Sequence, residues 1–122
     1  MNWNNVKYFK PSEFECKCGC HENKIQDELV QMLDAARVTA GVPFSVTSGY
    51  RCPKHNAAVG GVSESAHSTG FAVDVACTES MPRFAIIRGL IEAGFNRIGV
   101  AKTFIHADCD PSKPAKVMWL YS

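Results

Sequence analysis

The chain has 122 residues, 46% hydrophobic and 20% charged, the balance of a soluble globule rather than of a disordered tail. Thirteen Lys and Arg stand against twelve Asp and Glu, and a net charge of +1 supplies no broad basic face for nucleic acid or an anionic membrane. No apolar run approaches the ~20 residues of a membrane span. The length fits one domain, 1–122, able to bury roughly two-thirds of its unfolded surface. Met1-Asn2-Trp3-Asn4-Asn5 carries neither the basic nor the apolar segment of a secretory signal. The expectation is a monomer made in the cytoplasm without a signal peptide.

In chain order, residues 1–24 read as an irregular, Cys-rich segment packed on the rest, with a helical turn after Pro11. From Ile25 to Ala40, Ile25, Leu29, Leu33, Ala36 and Ala40 recur at helical spacing, with Asn23 as the expected N-cap and Gly41 as the stop. Pro43 to Thr47 reads as a short strand. Cys52-Pro53 opens a short helix that ends at Gly60-Gly61, and 62–69 is a Ser-rich loop. Phe71 to Val75 alternates as a strand, with Phe71, Val73 and Val75 on one face and Ala72 and Asp74 on the other. Ser80 is the expected cap of a helix with Phe84, Ile87, Leu90 and Ile91 as its apolar stripe, closed by Gly94. Strand-like runs follow at Arg97–Val100, Phe104–Asp108 and Val117–Tyr121. Helices early and strands late predict an α+β fold with a mainly antiparallel sheet flanked by helices.

Three side chains of metal-binding type stand in strand and loop settings: His67, Asp74 and His106. A carboxylate in Gly70-Phe71-Ala72-Val73-Asp74-Val75 is costly to bury without a partner. His106 lies in Phe104-Ile105-His106-Ala107-Asp108, where a period of two puts Phe104, His106 and Asp108 on one side. If the two strands are neighbours, their polar faces converge on one ion. The competing structural reading is a pair of hydrogen-bonded core residues.

The stretch Ser48-Gly49-Tyr50-Arg51-Cys52-Pro53-Lys54-His55-Asn56, then Val59-Gly60-Gly61-Val62, then Ser65-Ala66-His67-Ser68-Thr69-Gly70-Phe71-Ala72-Val73-Asp74, closely resembles the zinc D-alanyl-D-alanine carboxypeptidase family. That family includes phage endolysin peptidases and shares its fold with the hedgehog signalling domain. Its pattern is S-G-Y-R, then S-x-H-x-x-G-x-A-x-D, then a strand carrying the last His. The likeness runs from about Phe14 to Tyr121. It implies one catalytic zinc on His67, Asp74 and His106, with water in the open fourth position. Zinc brings the pKa of such a water to about 7.

By the same resemblance Arg51 contacts the substrate's carbonyl or carboxylate, a role suited to its forked donors, and Ser65 binds substrate or orients the site. Their structural alternatives are a surface ion pair and a loop cap. Many members of the family place an acid three residues before the last ligand, where this chain has Thr103, and others a His two before it, where it has Phe104. Asp108 is the local substitute, either as the general base or as a partner that orients His106. The implied substrate is a peptidoglycan stem peptide, cut by metal-activated water, with release onto the cell wall as a phage or prophage lysis product. The alternative is a zinc-stabilised binding domain without activity, of hedgehog type.

Six cysteines remain. Cys16-x-Cys18-x-Cys20-His21 reads as half of a second, structural zinc site completed by Cys52 or His55. A disulfide from this segment to Cys52 is the alternative. Cys77 and Cys109 follow Asp74 and Asp108 at corresponding strand ends, as neighbours, as a pair, or as free buried residues. His55 reads as structural.

Overall fold

The periodicity over 25–40 produces helix α1, Asp27–Ala40, which buries Leu29, Val30, Leu33 and Ala36. Asp27 and Glu28 in its first turn suit the positive end of the helix dipole. Gly41 stops it in a left-handed conformation. The N-cap is Gln26 rather than Asn23. The Asn23 side chain instead accepts from the backbone of Ile25 and shapes the turn that leads in.

The computed structural model describes residues 2–62 and 64–121; Met1, Ser63 of the Ser-rich loop and Ser122 lie outside the described residues. After α1 come β1 (Val46–Ser48), α2 (Pro53–Ala58), β2 (Ala72–Ala76), α3 (Ser80–Glu92), β3 (Arg97–Val100), β4 (Phe104–Asp108) and β5 (Val117–Leu120). The N-terminal segment contributes 3-10 turns at Trp3–Asn5 and Pro11–Glu13. The strands form one sheet in the order β1-β2-β4-β3-β5, antiparallel except for the parallel β3–β5 edge pair. The fold is α+β, as the element order predicts.

Strand parity divides the sheet into an apolar and a polar face. Val73 and Val75 of β2, Ile98 of β3, and Ile105 and Ala107 of β4 join α1 and α3 in one buried core. On the opposite face one row runs across the strands through Ser48, Asp74, His106, Gly99 and Trp119, each paired with its neighbour in register. The apolar side of the sheet therefore holds the molecule together, and the polar side is free to carry chemistry.

Two expected elements, β1 and α3, differ from their sequence-based form. β1 begins at Val46, not Pro43, because Pro43 has no N–H for a ladder; Phe44 is buried just ahead of the strand. α3 has Glu79 as its N-cap position, one residue before Ser80. Its buried stripe is Ile86, Gly89 and Leu90, whereas Phe84 and Ile91 are 73% and 52% exposed. Gly89 takes that place because α1 and α3 approach closely there: a Cβ on it would stand 2.5 Å from the Ala36 carbonyl oxygen.

Cys77 and Cys109 are both free. β2 and β4 run antiparallel, so their C-terminal ends lie at opposite ends of the pair, with the Cys77 N–H donating to the Thr103 carbonyl and the Cys109 N–H to that of Phe71. The expectation that the two are neighbours or a pair is overturned; free thiols, Cys77 buried and Cys109 half-buried, are what the fold contains.

Candidate functional site

Asp74 and His106 face each other directly across the β2–β4 ladder, on the polar side of the sheet. His106 Nδ1 lies 3.0 Å from Asp74 Oδ1. His67 comes from the loop before β2, where its backbone N–H donates to Ser65 Oγ at 3.2 Å. That loop closes at Gly70, which has φ of +81° and lies so close to the Lys24 carbonyl that a Cβ would clash. The Gln26 backbone N–H and side-chain amide pin the loop to the start of α1 through Gly70 and Thr69. His67 Nε2 then lies 3.4 Å from Asp74 Oδ1.

One ligand atom from each of His67, Asp74 and His106 lies within 4.8 Å of the other two. Zinc bonds of about 2.0–2.2 Å would set tetrahedral ligand atoms roughly 3.3–3.6 Å apart, close to the 3.0 and 3.4 Å found here. The remaining nitrogens fit as well. His67 Nδ1 donates to the Gly49 carbonyl at 2.8 Å, which leaves the Nε2 lone pair facing the cluster. His106 Nε2 lies 2.6 Å from Asp108 Oδ2, so a proton held there leaves the Nδ1 lone pair for the cluster. Two anchored imidazoles and a carboxylate are a donor set that suits zinc.

The charges reinforce each other. Burial pushes Asp74 up, but the hydrogen bonds with His106 and His67 outweigh it and hold the carboxyl well below its usual range. Burial pushes His106 down, and its bonds with Asp108 and Asp74 more than reverse that. Burial raises Asp108, against which His106 and then Arg97 hold it low.

The other expected residues fall around this cluster. Arg51 donates from Nε to Ser48 Oγ at 3.3 Å and from one terminal nitrogen to Asn56 Oδ1 at 3.1 Å. Its other terminal nitrogen lies 3.9 Å from Asp74 Oδ2. Ser65 is buried at the turn that presents His67. Asp108 sits on the far side of the His106 ring from Asp74. Its Oδ2 is taken by His106, and its Oδ1 accepts from Arg97 Nε at 2.8 Å and from the Asp110 backbone at 3.3 Å.

A cleft of about 350 Å³ opens over these groups, lined also by Phe104, Lys113, Trp119 and Tyr121. Such a volume suits a small ligand or a short stretch of peptide. The Trp119 ring lies tilted at 48° against His106, with centroids 5.5 Å apart, and the Arg97 guanidinium lies over the Trp119 ring at 5.3 Å. Gly99 makes room: a Cβ there would stand 2.6 Å from the Trp119 indole nitrogen.

A model of the family described as Peptidase M15 matches residues 7–108, a span that includes His67, Asp74 and His106. The chain belongs to the peptidase M15 family. No curated protein matches the chain. Members of the M15 family are zinc-dependent peptidases, and membership supports a metallopeptidase acting on a peptide substrate. In this M15 chain, sequence reasoning passes over Arg97, Asn56, the Gly49 carbonyl and the Trp119–Tyr121 wall. Only Asn56 and Gly49 carry a signal, since both stand inside the motif stretch. Arg97 opens β3 at the register position opposite Asp108, a pairing visible only once the strand order is known.

Proposed function

We propose that the protein is a zinc peptidase that hydrolyses peptidoglycan stem peptides, with zinc held by His67 Nε2, Asp74 and His106 Nδ1. When bound, the ion supplies a Lewis acid that acidifies water and polarises the scissile carbonyl. The remaining work is done by side chains. Arg51, braced by Ser48 and Asn56, presents to a substrate carbonyl or carboxylate the terminal nitrogen that lies 3.9 Å from Asp74 Oδ2. Ser65 and the Gly49 carbonyl hold His67 in one orientation and one tautomer. Asp108, charged and braced by Arg97, does the same for His106 and is a positioning residue. Phe104, Trp119 and Tyr121 give the cleft an apolar wall against which a peptide can exclude water.

The observation that carries this reading is the clustering of three ligand atoms whose imidazole partners are each fixed from behind. Incubating the protein with purified peptidoglycan, with and without chelator, tests it. Soluble peptides or free D-alanine should appear, and should be lost with chelator and in His106→Ala; intact peptidoglycan after prolonged incubation with zinc-loaded protein would sink the reading. The product also separates a carboxypeptidase, which releases D-alanine, from an endopeptidase, which releases peptide fragments.

One observation favours a second reading, a zinc-stabilised binding domain. Among the described residues, the carboxylates lining the cleft are Asp74 and Asp108, and both are engaged. Thr103 and Phe104 supply no base in their place. Binding of peptidoglycan fragments without turnover would select this reading.

A further inference from the structure

Cys52, next to Arg51 in the chain, belongs to a second cluster that the peptidase reading does not use. Sγ atoms of Cys16, Cys18, Cys20 and Cys52 all lie within 4.8 Å of one another. Cys16 and Cys18 are 3.5 Å apart, and Cys18 and Cys52 3.7 Å. A disulfide requires about 2.05 Å, and all four thiols are free. Zinc–sulfur bonds of about 2.3 Å, by contrast, set tetrahedral sulfurs roughly 3.8 Å apart.

We propose that Cys16, Cys18, Cys20 and Cys52 bind a structural zinc ion as a closed tetrathiolate. Four protein ligands leave no open position, which separates this site in kind from the three-ligand cluster in the cleft. The spacing C-x-C-x-C differs from the familiar C-x2-C, and the backbone accounts for the difference. Gly19 and His21 both have positive φ, 97° and 59°, so the chain turns sharply enough to bring alternate cysteines inward. The Cys16 N–H closes the loop on the Glu22 carbonyl at 2.7 Å.

The sulfurs are also prepared for charge. Backbone N–H groups of Cys52, His55 and Glu22 donate to Cys16, Cys52 and Cys20 respectively, each at 3.4 Å. Four thiols this close cannot all ionise against one another; a divalent cation removes that conflict. His55 and His21, the other expected donors, stay outside the four-sulfur group. His21 turns to Glu15 at 3.2 Å.

The placement gives the ion a structural task. Cys52 ends the segment whose Gly49 carbonyl holds His67 and whose Arg51 reaches Asp74. The other three ligands come from the N-terminal segment, so zinc would staple that segment to the stretch that carries Arg51.

The test counts metal in freshly purified wild type and in the His67→Ala/His106→Ala variant, by native mass spectrometry and elemental analysis. The variant should retain one zinc per chain. Replacing it with cobalt(II) should give intense thiolate-to-metal charge-transfer absorption. Cys18→Ser/Cys20→Ser, altered at two exposed positions, should lose that ion and keep the zinc of the cleft. If the serine variant fails to fold, the cobalt spectrum of the histidine variant, with all cysteines intact, still decides. A histidine variant without zinc, with iron at the site, or with a mass showing oxidised cysteine pairs would overturn the proposal. Equal zinc content in wild type and the histidine variant would instead remove the cleft site and leave this one standing.

Discussion

Asp108 shows how the contacts of one carboxylate separate two roles for it. A general base needs an oxygen within reach of the water it deprotonates, whereas Asp108 spends Oδ2 on His106 and Oδ1 on Arg97. Asp108→Asn keeps the shape and removes the charge that fixes the His106 tautomer. Loss of such an orienting partner lowers metal affinity or activity about 10–100-fold. We therefore expect zinc affinity, measured by competition with a chelator, to fall about 10–100-fold. The activity at saturating zinc should keep the same pH profile. Unchanged zinc affinity with loss of the acidic limb of the pH–rate profile would make Asp108 the base after all. Strand parity is enough to put Phe104, His106 and Asp108 on one side from the sequence. It cannot say which oxygen faces which nitrogen, because Arg97 reaches Asp108 only through the pairing of β3 with β4.

At the scale of elements, the sequence is legible where a period meets a single buried face. β2 and β4 alternate cleanly, so their alternation alone assigns Asp74 and His106 to a polar face. α3 is harder, because its contact surface includes a glycine that hydrophobic patterning does not count. Gly89→Ala tests that account. Alanine gains about 1 kcal/mol of helix propensity over glycine. Its Cβ, however, would press on the Ala36 carbonyl at 2.5 Å and on Ala40 Cβ at 3.0 Å. The first of these is backbone and can yield only if the helices part, and overpacking of this kind costs about 1–3 kcal/mol. The net expectation is a loss of up to about 2 kcal/mol in urea denaturation, the difference of those two effects. A variant more stable than wild type by the full helix-propensity gain of about 1 kcal/mol would show that α1 and α3 can move apart freely. β1 starts later than its sequence predicts for a different reason: Phe44 is buried like a strand residue but contributes no ladder pairing, and apolarity alone does not distinguish the two.

For the molecule as a whole, the question is whether residues 1–24 are an appendage or part of the folding unit. Their irregular sequence suggests a segment packed onto a finished domain. Phe14 is fully buried, its ring 5.6 Å from Phe9 and 5.9 Å from Trp3. Its carbonyl accepts from the Tyr50 N–H at 2.8 Å, and Gly49 is pressed against its backbone so closely that a Cβ would not fit. Asp34 of α1 accepts from the backbones of Lys7 and Tyr8 at 3.0 and 2.9 Å. These contacts bind the segment to α1 and to the strand end that carries Arg51. Phe→Ala in a core costs about 3–5 kcal/mol, a large part of the roughly 5–15 kcal/mol that holds a domain together. Phe14→Ala should accordingly lower the stability of the whole chain by about 3–5 kcal/mol in a single transition. In the wild type, native-state hydrogen exchange should show the Tyr50 amide as protected as that of Ile105 in the central strand β4, both opening only on global unfolding. If Tyr50 exchanged orders of magnitude faster while β4 stayed protected, the segment would be a separately melting strap. The cleft would then owe its geometry to the sheet alone.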